Sequence, residues 1–315
     1  MTKGLIGNTP IVKIGIKFNN KIKNIYAKLE YYNYTGSIKD RIAFYIMEQS
    51  YKNSTLQKGM PIIEATSGNT GIAFAALGAL YGHEVHIFMP NWVSPERIKI
   101  MELYGAKIHL VSKEEGGFWE AIRRADFLAK KINGFRPNQF SNNLNVLAHY
   151  YGTGNEIVEK VDNIDTFVSG FGTGGTLIGV GKKIKERFPN TKIIALEPEN
   201  MTLLSKNKKI GSHKIEGIGD DFLPDIVDTN LIDSSITVSD NDAIYMAQIL
   251  AKKLGLGVGI SSGANFLASV LVEGENVVTI FADDLKKYLS TDLIYDIKNT
   301  NPILKSVEIL GMEVL

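Results

Sequence analysis

The stretch TFVSGFGTGGTLIGVGKKIKER, residues 166–187, decides the fold class of this chain. It begins with an apolar run at 166–169, continues through a glycine-rich turn at 169–176 and ends in a segment of helical spacing at 175–187. A strand that feeds a tight turn and then a helix is typical of the βαβ units from which parallel sheets are built. The stretch therefore predicts an α/β protein with a ligand site at the carboxyl end of this strand.

The same alternation extends to both sides of this stretch, without an internal repeat or a flexible linker. Short apolar runs predict strands at residues 25–29, 61–64, 84–89, 107–111, 193–197 and 277–281. Segments of helical period predict helices at 37–50, 70–81, 94–104, 118–132 and 242–254. The chain therefore reads as a series of strand and helix pairs around mostly parallel sheets.

The composition excludes several classes of function. With 35 basic and 34 acidic residues, a formal net charge of +1 and no block of like charges, the 315 residues carry no electrostatic signal for nucleic acid or a membrane surface. No apolar run approaches the roughly 20 residues needed to span a bilayer, and the start MTKGLIGNTP lacks the layout of a secretory signal. We therefore expect a cytoplasmic protein whose partners are small molecules or other proteins. Because the chain has no cysteine, it has no disulfide, thiolate metal site or cysteine nucleophile, and no metal site is predicted.

The first polar cluster is TGSIKDR, residues 35–41, which follows a predicted strand. Its Lys39 lies in the opening turn of a predicted helix, where the helix dipole opposes its charge and partial burial would lower its pKa further. A lysine with a lowered pKa is suited to form a Schiff base. Taken alone, the cluster also fits a solvated surface lysine, which is the commoner case.

The second cluster is TSGNTG, residues 66–71, between a predicted strand and an Ala/Gly-rich helix. Its hydroxyl, amide and helix-start N–H groups converge on one point, an arrangement that favours binding of a carboxylate. The alternative interpretation is that a serine or asparagine here only caps the helix.

The third cluster is SGFGTGGT, residues 169–176, where glycines allow the backbone N–H groups at a helix start to hold a phosphate. The same residues satisfy the dinucleotide pattern G-x-G-x-x-G through Gly170, Gly172 and Gly175, with Glu197 about 20 residues further on. A NAD-dependent dehydrogenase is therefore an alternative, although this pattern normally occurs in the first βαβ unit of a nucleotide domain. A fourth cluster, residues 259–264, places Ser261 either opposite a heterocyclic nitrogen or at a helix N-cap.

Taken together and in this order, the clusters resemble the cysteine synthase family, also called O-acetylserine sulfhydrylases. IGNTP at 6–10, QFSN at 139–142 and HKIEGIG at 213–219 resemble further motifs of this family, so the resemblance covers nearly the whole chain. It implies pyridoxal 5'-phosphate (PLP) as cofactor. The implied cofactor contacts are Lys39, Asn69, Gly172, Thr173, Gly174, Gly175, Thr176 and Ser261. The implied substrate contacts are Thr66, Ser67, Gly68, Asn69, Thr70, Gln139 and Gly217.

The resemblance also implies an activity and an architecture. The activity is β-elimination and β-replacement on L-cysteine or O-acetyl-L-serine through an aminoacrylate intermediate, with Lys39 moving the α-proton. The architecture is a two-domain α/β fold of the type II kind, with a smaller domain at 40–145 and a larger one formed by 1–39 and 146–315. The family is usually homodimeric, and intact Lys39, Asn69, Gln139 and Ser261 speak against an inactive binding homologue.

The sequence departs from the family after Gly219, where Asp220 and Asp221 replace small residues. We hypothesise that Asp220 acts as a general base for water, so that the enzyme releases hydrogen sulfide from cysteine and forms serine. A solvated loop carboxylate is the alternative interpretation. Lesser departures are Tyr34, the tryptophan and valine at 92–93, and FADDLKKY at 281–288 in place of a Pro/Ser/Gly-rich stretch.

Overall fold

The computed structural model describes residues 4–205, 208–209, 211–297 and 301–315. Its strands are β1 (Ile11–Phe18), β2 (Lys21–Leu29), β3 (Ile62–Ala65), β4 (Val85–Pro90), β5 (Lys107–Val111), β6 (Thr166–Gly170), β7 (Lys192–Pro198), β8 (Met201–Thr202), β9 (Lys208–Lys209), β10 (Ser234–Val238), β11 (Asn276–Phe281) and β12 (Glu308–Val314). They form a seven-stranded sheet in the order β10-β7-β6-β11-β2-β1-β12, a three-stranded sheet in the order β3-β4-β5 and the short pair β8-β9. The predicted α/β class is confirmed.

Parallel pairing runs through most of both large sheets. The five strands from β10 to β2 pair in parallel, as do β3, β4 and β5. Only at one edge of the seven-stranded sheet does the direction reverse, where β1 pairs antiparallel with both β2 and β12. Since crossover helices must connect parallel strands, both large sheets are covered by helices.

The helices are α1 (Lys39–Lys52), α2 (Asn69–Tyr81), α3 (Pro95–Leu103), α4 (Gly117–Ile132), α5 (Leu144–Ala148), α6 (Asn155–Lys160), α7 (Gly175–Arg187), α8 (Asp240–Leu254), α9 (Ile260–Leu271) and α10 (Pro302–Lys305). A π-helical turn, His149–Gly154, joins α5 to α6. The helical period predicted α1, α2, α3, α4, α7 and α8 to within two residues at each end. In the described ranges, no helix has the length and apolar character needed to cross a membrane.

Helices cover both faces of each large sheet. Apolar side chains of α8 and α9 pack on one face of the seven-stranded sheet, and those of α6 and α7 pack on the other. In the same way, α1 and α2 cover one face of the three-stranded sheet and α4 covers the other. This double coverage leaves the carboxyl ends of the strands as the accessible edge, which is where open α/β sheets bind ligands.

Candidate active site

A cavity of ≈ 850 Å³ lies at the carboxyl ends of β3, β4, β6 and β11. Its volume is within the range typical of small-molecule and cofactor sites. The cavity brings together these predicted site residues: Lys39, Thr66, Ser67, Gly68, Asn69, Thr70, Gln139, Gly172, Thr173, Gly174, Thr176, Gly217, Asp220 and Ser261. The predicted contact Gly175 is not part of the lining, because it is buried behind the loop.

Lys39 is the first residue of α1 and lines the cavity. Burial lowers the pKa of its amine to about 8, while the nearby carboxylates of Asp220 and Asp283 act in the opposite direction. The predicted lowering of the pKa is therefore present, with burial as its largest cause. An amine with this pKa is partly neutral near pH 8, which is the form that attacks a carbonyl.

The neighbours of Lys39 in the chain fix its position. The carboxylate of Asp40 accepts hydrogen bonds from the backbone N–H and the hydroxyl of Thr35, at 2.7 and 2.6 Å. On the next position of α1, the buried guanidinium of Arg41 forms ion pairs with Glu30 at 2.6 Å and Glu156 at 2.7 Å. The turn before Lys39 and the helix after it are thus both tied to the protein interior.

The loop at residues 66–71, which we name the Asn69 loop, runs from β3 into α2. The N-cap of α2 is Gly68, and no side chain caps the helix, so the capping interpretation of this loop is wrong. Thr70 donates a hydrogen bond from its hydroxyl to Gln139 Oε1 at 2.7 Å, and Gln139 Nε2 donates to the backbone oxygen of Ala65 at 3.1 Å. The predicted pair of the Asn69 loop and Gln139 therefore forms one hydrogen-bonded unit.

Arg97 of α3 is a cavity residue that the sequence reasoning missed. Its side chain is 2% exposed, and it forms an ion pair with Glu216 and donates to Ser94 Oγ at 2.9 Å. It also packs on the Asn69 loop, since a Cβ built on Gly68 would lie 2.7 Å from Arg97 Nε. Its place in the sequence, after Ser94 and Pro95 in the first turn of a predicted helix, gives no signal of this burial.

The glycine loop, residues 169–176, turns from β6 into α7 with no room for side chains on its glycines. A Cβ on Gly172 would lie 2.5 Å from the backbone oxygen of Gly217, and Gly174 has a φ of +86°. A Cβ on Gly175 would lie 1.9 Å from Asn145 Oδ1. Asn145 is buried and also donates to Thr173 Oγ1 at 2.9 Å, so its amide holds the glycine loop on the side away from the cavity. Sequence reasoning missed this residue.

Ser261 is the second residue of α9 and is 5% exposed. The N-cap of this helix is Gly259 without a side-chain hydrogen bond, so the capping interpretation of Ser261 is wrong. Asn265, one turn later, accepts from the backbone N–H of Gly170 at 2.8 Å and donates to the backbone oxygen of Ile280 at 2.7 Å. The start of α9 is thereby tied to the ends of β6 and β11, with the Ser261 hydroxyl beside the cavity.

The Asp220 loop, residues 213–221, covers the cavity from the side of the glycine loop. A Cβ built on Gly172 would lie 3.5 Å from Asp220 Oδ2. Burial raises the pKa of Asp220 to about 6, with the charge of Lys39 acting against this rise and that of Asp221 adding to it. Asp221 itself is exposed. Both acids line the cavity, and Asp220 is the more buried of the two.

Comparison with known proteins identifies the family. A family model described as pyridoxal-phosphate-dependent enzyme matches residues 2–283. This chain belongs to that family. Among curated family members, it is 43% identical to cysteine synthase B of Campylobacter jejuni over 92% of this chain and 96% of the relative.

Solved structures of the PLP family agree with this assignment. A hydrogen sulfide-producing enzyme from Fusobacterium nucleatum is 48% identical, with a TM-score of 0.94 over 99% of this chain and 98% of that one. Cysteine synthase from Entamoeba histolytica is 41% identical, with a TM-score of 0.86 over 96% and 92% of the two chains. Membership in the PLP family decides against the NAD alternative for the glycine loop.

The residues of the cavity fit PLP. The glycine loop lines the cavity and leads into the start of α7, where the helix dipole stabilises a phosphate. Asn69 Oδ1 is buried and has no hydrogen-bond partner among the described residues, as expected for a polar group whose partner is a ligand. The partly neutral amine of Lys39 faces the same space.

The packing of Gly175 gives a first testable prediction. We expect Gly175→Ala to lower the free energy of unfolding by about 1–3 kcal/mol, because the added methyl group overlaps the buried amide of Asn145. Urea denaturation of the two proteins measures this difference. Gly15→Ala is the matched control: its Cβ would meet only Leu310 Cβ at 3.6 Å, so a change within about 0.5 kcal/mol is expected. Equal losses in both variants would contradict the steric argument.

Proposed function

We propose that this enzyme catalyses PLP-dependent β-elimination and β-replacement on L-cysteine or O-acetyl-L-serine. The observation that carries the proposal is the convergence of Lys39, the Asn69 loop with Gln139, the glycine loop and Ser261 on one cavity. The resemblance to cysteine synthases and the identity to curated family members of that name support the same reaction. When bound, PLP withdraws electrons from Cα of an amino acid, which weakens the bond to the α-proton and assists departure of the β-substituent.

Lys39 is proposed to hold the cofactor and then to act as general base and acid at Cα. Its lowered pKa supports both tasks, because a neutral amine is needed for attachment and for accepting the α-proton. The fixed turn around Thr35 and Asp40 supports a precise approach of the amine to Cα.

The other site residues are proposed to bind and orient. Hydroxyl and N–H groups of the Asn69 loop, together with Gln139, are suited to hold the substrate carboxylate, and the glycine loop is suited to the cofactor phosphate. Ser261 would offer a neutral hydroxyl to the pyridine nitrogen of the bound cofactor. A neutral partner would leave that nitrogen unprotonated, which would favour chemistry at Cβ over racemisation or transamination.

A product assay tests the proposed reaction. We expect the purified holoenzyme to form cysteine from O-acetyl-L-serine and sulfide, or sulfide from L-cysteine, and L-alanine to give no product because it carries no leaving group at Cβ. Chromatography of amino acids and a sulfide probe measure these products. Absence of any product at Cβ from both substrates would overturn the proposed function.

A second candidate function is favoured by one feature, the acid at position 220. Asp220 is suited to deprotonate water beside Cβ, in which case L-cysteine would give hydrogen sulfide and L-serine. The hydrogen sulfide-producing enzyme of Fusobacterium nucleatum, which shares 48% identity with this chain, supports this candidate. Serine formation from cysteine alone, with no added sulfide or thiol, distinguishes it from cysteine synthesis.

From the family resemblance we also infer a homodimer, a cytoplasmic location and a division into a domain at 40–145 and a domain formed by 1–39 and 146–315. The three-stranded sheet with α2, α3 and α4 falls inside the first range, which supports the division.

A further inference from the structure

Asp283 follows β11 in the stretch that departs from the family pattern, and its backbone touches two segments of the site. It forms an isolated antiparallel bridge with Ser37, two residues before Lys39. Its backbone oxygen also accepts from the N–H of Gly259 at 3.0 Å, immediately before α9. The position of Asp283 is therefore fixed by the segments that carry Lys39 and Ser261.

The side chain of Asp283 reaches a third segment, the Asn69 loop. Asn69 Nδ2 donates to Asp283 Oδ2 at 2.7 Å, and the hydroxyl of Tyr288 donates to the same oxygen at 2.8 Å. Asp283 is 1% exposed, so both hydrogen bonds are shielded from water. A hydrogen bond to a buried carboxylate is stronger than one between neutral groups.

Cations surround this buried carboxylate. Arg97 Nη2 lies 4.0 Å from Asp283 Oδ2, and the charges of Lys39 and Lys287 interact with it. A carboxylate oxygen accepts hydrogen bonds, and the hydroxyl of Tyr288 donates to the same oxygen as Asn69 does. The amide of Asn69 must therefore present its nitrogen to Asp283.

This contact determines what Asn69 offers to the cavity. With Nδ2 held by Asp283, the amide cannot rotate to exchange its nitrogen and oxygen, and Oδ1 stays buried without a partner among the described residues. We propose that Asp283 is the positioning residue of Asn69, which fixes the orientation of this amide against the cofactor. The inference rests on the proposed function and on the contact of Asn69 with PLP that the family resemblance implies.

The test measures cofactor binding and the visible absorption band of the holoenzyme. In Asp283→Asn, the new amide can either accept a hydrogen bond from Asn69 or donate one to it, so the orientation of Asn69 is no longer fixed. We therefore expect PLP to bind about 10-fold more weakly and its absorption maximum to shift. Loss of stability alone would not move the band of bound PLP. An unchanged affinity and band in a folded Asp283→Asn protein would overturn the inference. If this variant does not fold, Asp283→Ser replaces it in every comparison.

A double-mutant cycle with Asn69→Ala separates positioning from a general structural role. If Asp283 acts through Asn69, adding Asp283→Asn to Asn69→Ala causes little further loss of PLP affinity, whereas additive losses overturn the inference. Tyr288→Phe, which removes the second donor to Asp283 and leaves the contact with Asn69, is the control and should keep the band of the unmodified enzyme; an equal shift would count against the inference. If Asn69→Ala alone changes neither affinity nor band, the proposed contact of Asn69 with PLP fails as well.

Discussion

Replacing Lys39 with alanine is expected to reduce the kcat/KM for every product at Cβ by at least about 10³-fold. No other lysine replaces it, because the amine is held at the start of α1 by the hydrogen bonds between Thr35 and Asp40 and by its own burial. Lys39→Arg should be equally inactive, since a guanidinium keeps its proton at all working pH values. Steady-state rates with L-cysteine and with O-acetyl-L-serine measure the effect.

A chemical readout separates loss of the cofactor link from misfolding. Borohydride reduction followed by peptide mass analysis should place the mass of PLP on the peptide that contains Lys39 in the unmodified enzyme and on no peptide of Lys39→Ala. Lys52→Ala is the matched control at the opposite end of α1, where the lysine is 61% exposed, and it should behave as the unmodified enzyme does. Activity retained by Lys39→Ala, or PLP trapped on another lysine, would contradict the assignment.

The sequence predicted the parallel part of the fold because alternation between buried strands and amphipathic helices is a local pattern. Strand β5 and helix α7 were predicted at their observed residues. The antiparallel edge was missed for a physical reason. Strand β12 is an exposed edge strand whose side chains are nearly all accessible, so no run of buried residues marks it, and its pairing with β1 spans almost the whole chain.

The residues of the site divide in a similar way. Those that lie in glycine, serine and threonine clusters at strand ends, such as Lys39 and Asn69, could be predicted because their local sequence carries the signal. Asn145, Arg97 and Asp283 could not, since each gains its role from partners between 28 and 214 positions away. Asp283 lies in the stretch 281–288, where the sequence departs from the family pattern. This departure marks the region as unusual but does not predict the contact of Asp283 with Asn69.

Replacing Asp220 with asparagine is expected to lower the rate at which L-cysteine is converted to sulfide and serine by about 10²-fold. The reason is that no general base then deprotonates the attacking water. Formation of cysteine from O-acetyl-L-serine and sulfide should fall much less, since hydrosulfide is already an anion and needs no deprotonation. Parallel assays of the two reactions on the same preparation measure this difference in effect. An unchanged rate of serine formation would mean that Asp220 is only a loop carboxylate.

The pH dependence of the same reaction gives an independent test of Asp220. Burial raises its pKa to about 6, and a general base acts in its deprotonated form, so serine formation should increase as the pH rises through about 6 and then level off. This rise should be absent in Asp220→Asn. Asp221→Asn is the matched control: removing the charge that helps to raise the pKa of Asp220 should move the midpoint to lower pH while the plateau rate stays the same. A midpoint near 6 that persists in Asp220→Asn would assign the titration to another group and remove the support for Asp220 as the base.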